Sequence, residues 1–582
     1  MDVGFSQESL LALLNKQAEV LASQADALKL KSQGMTTQAT VSPLTDTERN
    51  PSVAAVDAKQ VEWAVLQAVS EVSAFPVQAL RMEHTLMDDL GFDSLMLVKL
   101  HQVLLRRFPD IVSEDAGQFV NVRIGTLIEA ISRESGVTTG AIWKVHRTTA
   151  EVGTRLLVHE GETVADTSGK RCENETAVTA KRQFFNSPQY REYQQRMSLI
   201  ASSIDMHPYF KVISGVNTSR IRVNGRDCIN YSSYNYLGLS GHPRVSAAAR
   251  EAIERYGTSV SASRILSGEI ALHKELEKNI AGFLGAEDAI VYVSGHATNV
   301  TTIGHLVGDG DLILNDALCH NSIIQGCLLS GARRIAFKHN DMDDLERLLT
   351  TLGHHYNQIL ITVEGVYSMD GDIPDLPRLL ELKKRYGTLL LVDEAHSLGM
   401  LGKQGGGICE YYGIPGGEVD MLMGTLSKSL ASCGGYIAGS KKMIEYLKYT
   451  APGFIFSVGL PPSNAAASLA ALRVLQEEPE RVERLHQAAA LFRSLAEANH
   501  VNTGPAKDSP IIPVIIGDGK RCLRLSQRLY ERGINVEPII YPAVNRNAAR
   551  LRFFITSEHI HEQIRNTVNC LAEELPSMES LC

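Results

Sequence analysis

Three short stretches, residues 289–293, 359–363 and 388–392, are almost unbroken runs of apolar side chains. A strand with one wet face alternates apolar and polar residues, whereas an unbroken run fits a strand buried on both faces. Helical stretches separate the three runs, which implies βαβ crossovers and a mostly parallel sheet. Residues 184–582 are therefore expected to form an α/β domain, with a smaller α+β portion closing the C-terminus from about Pro505. With 582 residues the chain is too long for one core, so two or three domains are the natural expectation.

The preceding residues are patterned differently. In 1–30, Leu11, Leu14, Ala18, Leu21, Ala25 and Leu28 recur at alternating three- and four-residue steps. That spacing fits a short coiled-coil or docking helix, or equally an amphipathic helix packed on its own neighbour. Residues 31–53 contain Gly34, Pro43 and Pro51 and read as a linker. From 54 to 137 helical periodicity returns, with helices expected over 61–72, 94–108 and 124–131 as part of a small all-α four-helix bundle. Leu97, Leu100, Leu104 and Phe108 share one face of the middle helix. Asp93 takes its N-cap position, leaving Ser94 exposed at the positive end. Residues 138–183 are rich in Thr, Glu, Lys and Gly and read as a second tether.

Bulk properties exclude several classes. A net charge of −9 argues against nucleic acid as a partner. Nine scattered cysteines without a CxxC pair suggest neither zinc nor a disulfide framework. The apolar runs are too short to span a bilayer, and the N-terminus lacks a signal-peptide pattern, so a cytoplasmic protein is expected.

Two motifs carry chemistry. The first is Asp88-Asp89-Leu90-Gly91-Phe92-Asp93-Ser94-Leu95. With the apolar face behind Ser94, it resembles an acyl carrier protein of the polyketide or fatty-acid type. The resemblance implies that Ser94 takes a covalent 4′-phosphopantetheine from a phosphopantetheinyl transferase. The second is Gly424-Thr425-Leu426-Ser427-Lys428, just after an apolar run. Lys428 is the candidate amine for an imine with pyridoxal 5′-phosphate. That cofactor also needs an acid on its ring nitrogen, donors for its phosphate and a group stacked on the ring. Asp393 closes the run Leu390-Leu391-Val392 and stands where ligands of open α/β sheets bind. His396 and Ser368 are candidates for the phenolic oxygen. Ser294, Gly295 and His296 open a helix after a strand, a prepared anion site, with Thr425 as a further phosphate donor. His320 is the candidate for stacking on the ring.

In this order the segments resemble the α-oxoamine synthase family of fold-type I pyridoxal phosphate enzymes. The likeness runs from about 185 to 571 and includes Asn235-Tyr236-Leu237-Gly238-Leu239 and Arg550-Leu551-Arg552-Phe553. It implies that Asn235 borders the substrate amino acid and that Arg552 binds its carboxylate, with Arg550 as the nearest rival. It also implies a homodimer. One departure is Ser259-Val260-Ser261-Ala262-Ser263-Arg264, where many relatives carry a glycine-rich stretch. These side chains would alter the thioester entrance around Arg264, a further candidate for substrate binding, and suit a carrier-bound donor over coenzyme A.

Together the motifs imply an acyltransferase that condenses a small α-amino acid (glycine, alanine or serine) with an acyl thioester on its own arm. The products would be an α-aminoketone and carbon dioxide, in polyketide or related secondary metabolism. Lys428 would act as general base and His320 would polarise the thioester carbonyl. Three alternatives stay open: the same condensation from acyl-CoA, with the carrier serving another synthase; a pyridoxal aminotransferase or aldolase, against which the Asp393–His396 and Asn235 segments argue; and a non-catalytic carrier and docking platform. The N-terminal helix could also dock an upstream synthase.

Overall fold

The computed structural model describes residues 58–108 except 74, 76, 88, 91 and 93, together with 122–134 and 184–579. The helix expected over 1–30 and the tethers at 31–53 and 138–183 lie outside the described residues.

The helical region contains helices Ala58–Ser73, Ser94–Arg107 and Ile124–Glu134 and a 3-10 turn, Val77–Ala79. A fourth α-helix of the expected bundle is not seen among the described residues. Val61, Val65, Ala68, Val69 and Val72 line one side of the first helix, at the three- and four-residue steps that keep a stripe on one face. They are buried together with Leu97, Leu100 and Leu104 of the second helix and Ile124, Leu127 and Ile131 of the third. The first helix packs on both others. Arg107 fastens it by donating to the Ala64 carbonyl at 2.8 Å and pairing with Glu71 at 2.9 Å.

The larger region begins with helix Pro188–Ser203, where the Ser187 side chain accepts from the Tyr190 N–H and Pro188 takes the first turn. Strands β1 (Ile213–Ser214), β2 (Arg220–Val223) and β3 (Arg226–Asn230) form an antiparallel meander. A seven-stranded sheet follows from β4 (Asp288–Tyr292), β5 (Leu312–Asp316), β6 (Arg333–Phe337), β7 (Ile359–Glu364), β8 (Leu389–Asp393), β9 (Met421–Thr425) and β10 (Gly435–Gly439). Their order is β4-β10-β9-β8-β7-β5-β6, so β6 is an edge. Strands β5 to β9 pair in parallel, and β10 alone runs against its neighbours β4 and β9.

The apolar runs behave as expected for strands buried on both faces. Leu390 and Val392 of β8 join one buried cluster, whereas Leu391 between them joins another on the opposite face. The same alternation separates Leu314 from Ile313 and Ile361 from Leu360. Beyond the sheet, β11 (Ile511–Gly517), β13 (Pro538–Ile539) and β14 (Ala549–Phe554) form an antiparallel C-terminal sheet, while β12 (Ile534–Asn535) returns to pair in parallel with β3. Among the described residues no helix is long and apolar enough to cross a membrane.

Candidate active site

Two of the apolar runs end on acids. Glu364 closes β7 and Asp393 closes β8, paired in register and both almost wholly buried. Burying two carboxylates side by side is costly unless partners compensate. Here the compensation comes from residues at the carboxyl ends of the neighbouring strands. These ends open on a cavity of about 470 Å³ lined by Ser294, His320, Glu364, Asp393, His396, Lys428 and Arg552, among others.

Asp393 is held from two sides: the Asn299 amide donates to Oδ2 at 2.7 Å, and the Ala395 N–H donates to Oδ1 at 2.9 Å. The same amide reaches the Ser322 hydroxyl at 2.9 Å, which in turn meets His320 Nδ1 at 2.8 Å. The His320 N–H donates to Glu364 at 2.5 Å. Burial pushes the Glu364 carboxyl well above its ordinary range, and the nearby Asp393 charge pushes it further. Burial also lowers the His320 pKa, although Asp393 opposes the shift.

Lys428 is half-buried and its Nζ lies 5.6 Å from the Tyr234 ring centre. Burial pushes its pKa down to about 8 against the pull of the Asp393 and Glu364 carboxylates, with Arg552 adding to the fall. His396 is held well below its ordinary value, chiefly by burial and then by the Lys428 charge. Its Nδ1 meets the Tyr236 hydroxyl at 3.0 Å, and its ring stacks on Phe554 at 6.4 Å.

One wall presents a helix start, where N–H groups can receive an anion. Ser294 N-caps helix Gly295–Leu306, its side chain accepting from the Ala297 N–H. A Cβ on Gly295 would stand 2.7 Å from Thr425 Oγ1, so only glycine lets the helix start approach the β9 end so closely. Thr425 Oγ1 contacts the Ser427 hydroxyl at 2.7 Å and donates to the Gly434 carbonyl at 3.1 Å. On another wall, Arg552 donates to the Ser368 carbonyl at 2.8 Å and lies over the Phe554 ring at 4.6 Å, while its buried Nε has no partner.

The cavity therefore gathers Lys428, Asp393, His396, His320, Ser368, Ser294, Gly295, His296, Thr425 and Arg552. Arg550 is occupied elsewhere, by the Met369 carbonyl at 3.1 Å and by Asp370. Two expected residues do not line it. Asn235 is buried with its amide occupied, donating to the Asn217 carbonyl at 3.2 Å and accepting from the Ser240 N–H at 3.1 Å. Arg264 lies elsewhere because two carboxylates claim its guanidinium, Glu277 at 2.6 Å and Glu269 at 2.9 Å. It lines a separate cavity with Glu269, Glu277 and Lys448. Ser94 is the first residue of helix Ser94–Arg107.

Sequence reasoning passed over Asn299, Ser322, Glu364, Tyr234 and Tyr236. Asn299 did leave a trace: helix Gly295–Leu306 buries Thr298, Asn299, Thr301 and Thr302, an unusually polar set for a covered face. Glu364 left another, as an acid directly closing an apolar run.

The donor set fits pyridoxal phosphate. A half-buried amine shares the cavity with a pinned carboxylate, a helix start could offer N–H groups to a phosphate, and the buried Asn299 Oδ1 and Arg552 Nε remain without partners. Among the described residues no group of three or more His, Cys, Asp or Glu could hold a metal.

Residues 226–571 match the family described as aminotransferase class I and II. An 8-amino-7-oxononanoate synthase of Thermoanaerobacter pseudethanolicus is 39% identical over 353 residues, 61% of this chain and 89% of that protein. A protein of the same name from Bacillus subtilis is 36% identical over 371 residues, 64% of this chain and 94% of its own. A serine palmitoyltransferase from S. paucimobilis, solved with a bound PLP–myriocin aldimine, superposes with a TM-score of 0.66 at 31% identity. That superposition covers 69% of this chain and 100% of the other. The chain belongs to the aminotransferase class I and II family and, within it, to the pyridoxal phosphate-dependent α-oxoamine synthases.

Proposed function

We propose that the chain joins a small α-amino acid to an acyl thioester with loss of carbon dioxide, and that the thioester rides on its own 4′-phosphopantetheine at Ser94. The condensation rests above all on one observation: Lys428, whose ammonium is disfavoured by desolvation, shares a cavity with Asp393, His396 and Arg552. Bound pyridoxal phosphate supplies an electron sink that makes the amino acid's Cα proton labile. Asp393, held by Asn299 and Ala395, would pair its carboxylate with the cofactor's ring nitrogen. Ser294, the N–H groups behind it and Thr425 would hold the phosphate.

Arg552 grips the substrate carboxylate through parallel N–H donors, which sets the direction of the Cα–H bond. Lys428 Nζ, partly neutral near pH 8, takes up the Cα proton. His320 has Nδ1 engaged by Ser322, leaving Nε2 for the thioester carbonyl. A bond forms between Cα and the acyl carbon as the C–S bond breaks, and the thiolate leaves with one proton. The bond to the carboxylate then breaks, carbon dioxide departs, and a solvent proton takes its place at Cα. The product is an α-aminoketone.

Support for a tethered donor comes from Ser94 opening helix Ser94–Arg107 shortly after the buried Leu90 and Phe92. A phosphopantetheinyl transferase would install the arm, and the tether would raise the local thioester concentration towards the millimolar range. Such an arrangement suits polyketide or related secondary metabolism.

The test compares the wild-type chain with Ser94→Ala after phosphopantetheinyl transfer, acyl loading and addition of amino acid. The expected result is aminoketone and labelled carbon dioxide from the wild type only, with both proteins equally active on a soluble thioester. Equal product from both in the absence of soluble thioester would refute the tethered donor. Absence of carbon dioxide from either protein would refute the condensation.

A further inference from the structure

We propose that the open edge of the central sheet, at β6 and the 317–318 turn, is the docking surface on which the helical module delivers its acyl group. The proposal rests on the carrier reading above and adds where the carrier sits. Residues 57–582 cluster as one compact unit, so the helical module packs against the synthase. Its loop before Ser94 faces the β6 edge across a cleft of about 400 Å³, with Met87, Leu90 and Phe92 on one wall and Ala317, Leu318 and Phe337 on the other.

The contact has apolar and polar parts. Leu86, Leu90 and Phe92 belong to the same continuous buried cluster as Ile335, Phe337 and Leu348. Arg333 at the start of β6 donates to the Val72 carbonyl at 3.2 Å, tying the end of the module's first helix to the sheet. Asp89 is held below the usual carboxylate range first by the Thr85 N–H and hydroxyl, both at 2.8 Å, and further by the Lys338 charge across the cleft. An exposed edge strand invites pairing with other chains, and here the chain's own module covers it.

The position suits delivery. Ala317 and Leu318 line the docking cleft, while His320, two residues on, lines the cavity that holds Lys428. One short segment thus borders both the carrier and the reacting groups. Asp316 sets that segment: its carboxylate accepts from the Leu318 N–H at 2.8 Å and pairs with His339, another cleft residue, at 2.8 Å. An arm leaving the helix start at Ser94 therefore has an approach to His320 along residues that are already ordered.

The test uses the full chain, phosphopantetheinylated and loaded with pyridoxal phosphate, and the double variant Arg333→Ala/Lys338→Glu. Neither residue lines the catalytic cavity. Three quantities are read: hydrogen exchange over 86–92, single-turnover acyl transfer from the chain's own arm, and turnover with a soluble acyl-N-acetylcysteamine. In the variant, exchange should rise and self-transfer should fall about fivefold or more, the order expected from one hydrogen bond and one surface charge pair. Turnover of the soluble thioester should not change. Unchanged exchange and self-transfer would overturn the docking surface, and so would equal losses with both donors, which mark a structural role only. A wild-type protein active on the soluble thioester but not on its own arm would refute the carrier reading and the delivery role with it. The exchange data would still report the contact in that case.

Discussion

Replacing Lys428 by methionine removes a charge from a half-buried site while nearly preserving shape, and it should stabilise the cofactor-free protein. The ammonium is disfavoured in the fold, where its pKa drops from 10.5 to about 8. At about 1.4 kcal/mol per pH unit, that fall corresponds to a penalty of about 3 kcal/mol. Because the folded value lies below the unfolded one, the unfolded chain holds its proton more tightly. The penalty is absent above pH 10.5, grows as pH falls, and is complete below about pH 8. The cofactor-free Lys428→Met protein should therefore unfold at higher denaturant or temperature than wild type at pH 7, and the gap should close as pH approaches 10.5. Denaturation midpoints of both proteins across this range measure it. A methionine variant less stable at pH 7, or a gap that does not vary with pH, would refute the account of Lys428 as a desolvated amine. The same variant should fail to bind pyridoxal phosphate covalently, so stability and activity trade against each other at this residue.

Asp393→Asn keeps the shape but removes the charge proposed to pair with the ring nitrogen. It should lower kcat about 100-fold or more, the order seen when one preorganised electrostatic group is lost; equal kcat would remove Asp393 from the chemistry. Arg552→Lys gives up the fork that holds a carboxylate, so KM for the amino acid should rise roughly 10- to 100-fold, matching about 1.5–3 kcal/mol for a charged hydrogen bond. A change in kcat alone would point to another role. Gly295→Ala puts a methyl group 2.7 Å from Thr425 Oγ1; cofactor affinity, read by its absorption during titration, should fall while the circular dichroism spectrum holds.

The sequence carried those parts of the site that depend on a strand and its end. An apolar run closing on Asp393, and another followed by Lys428, place both groups at the carboxyl edge of a parallel sheet whatever the details of packing. The division of β8 between two buried clusters follows from the same runs. What the sequence could not carry depends on which side chains meet across the fold. Arg550 and Arg552 stand two residues apart on one strand and look alike, yet Asp370 and the Met369 carbonyl occupy one while the other reaches the cavity. Asn235 and Arg264 sit in segments that carry the family resemblance, but Ser240 and Asn217 take up the first and Glu277 and Glu269 the second. Asn299 is the converse case. It is one polar residue inside a helix, and its importance emerges only when Asp393 and Ser322 arrive within 3 Å from separate elements.

The most direct test of the account is time-resolved intact-protein mass spectrometry of the phosphopantetheinylated chain carrying an acyl group, with carboxyl-labelled amino acid added. The account predicts that the acyl mass leaves Ser94 as labelled carbon dioxide appears, one for one, with one aminoketone for each. Acyl groups that stay on the arm while carbon dioxide and product accumulate from another donor would contradict it.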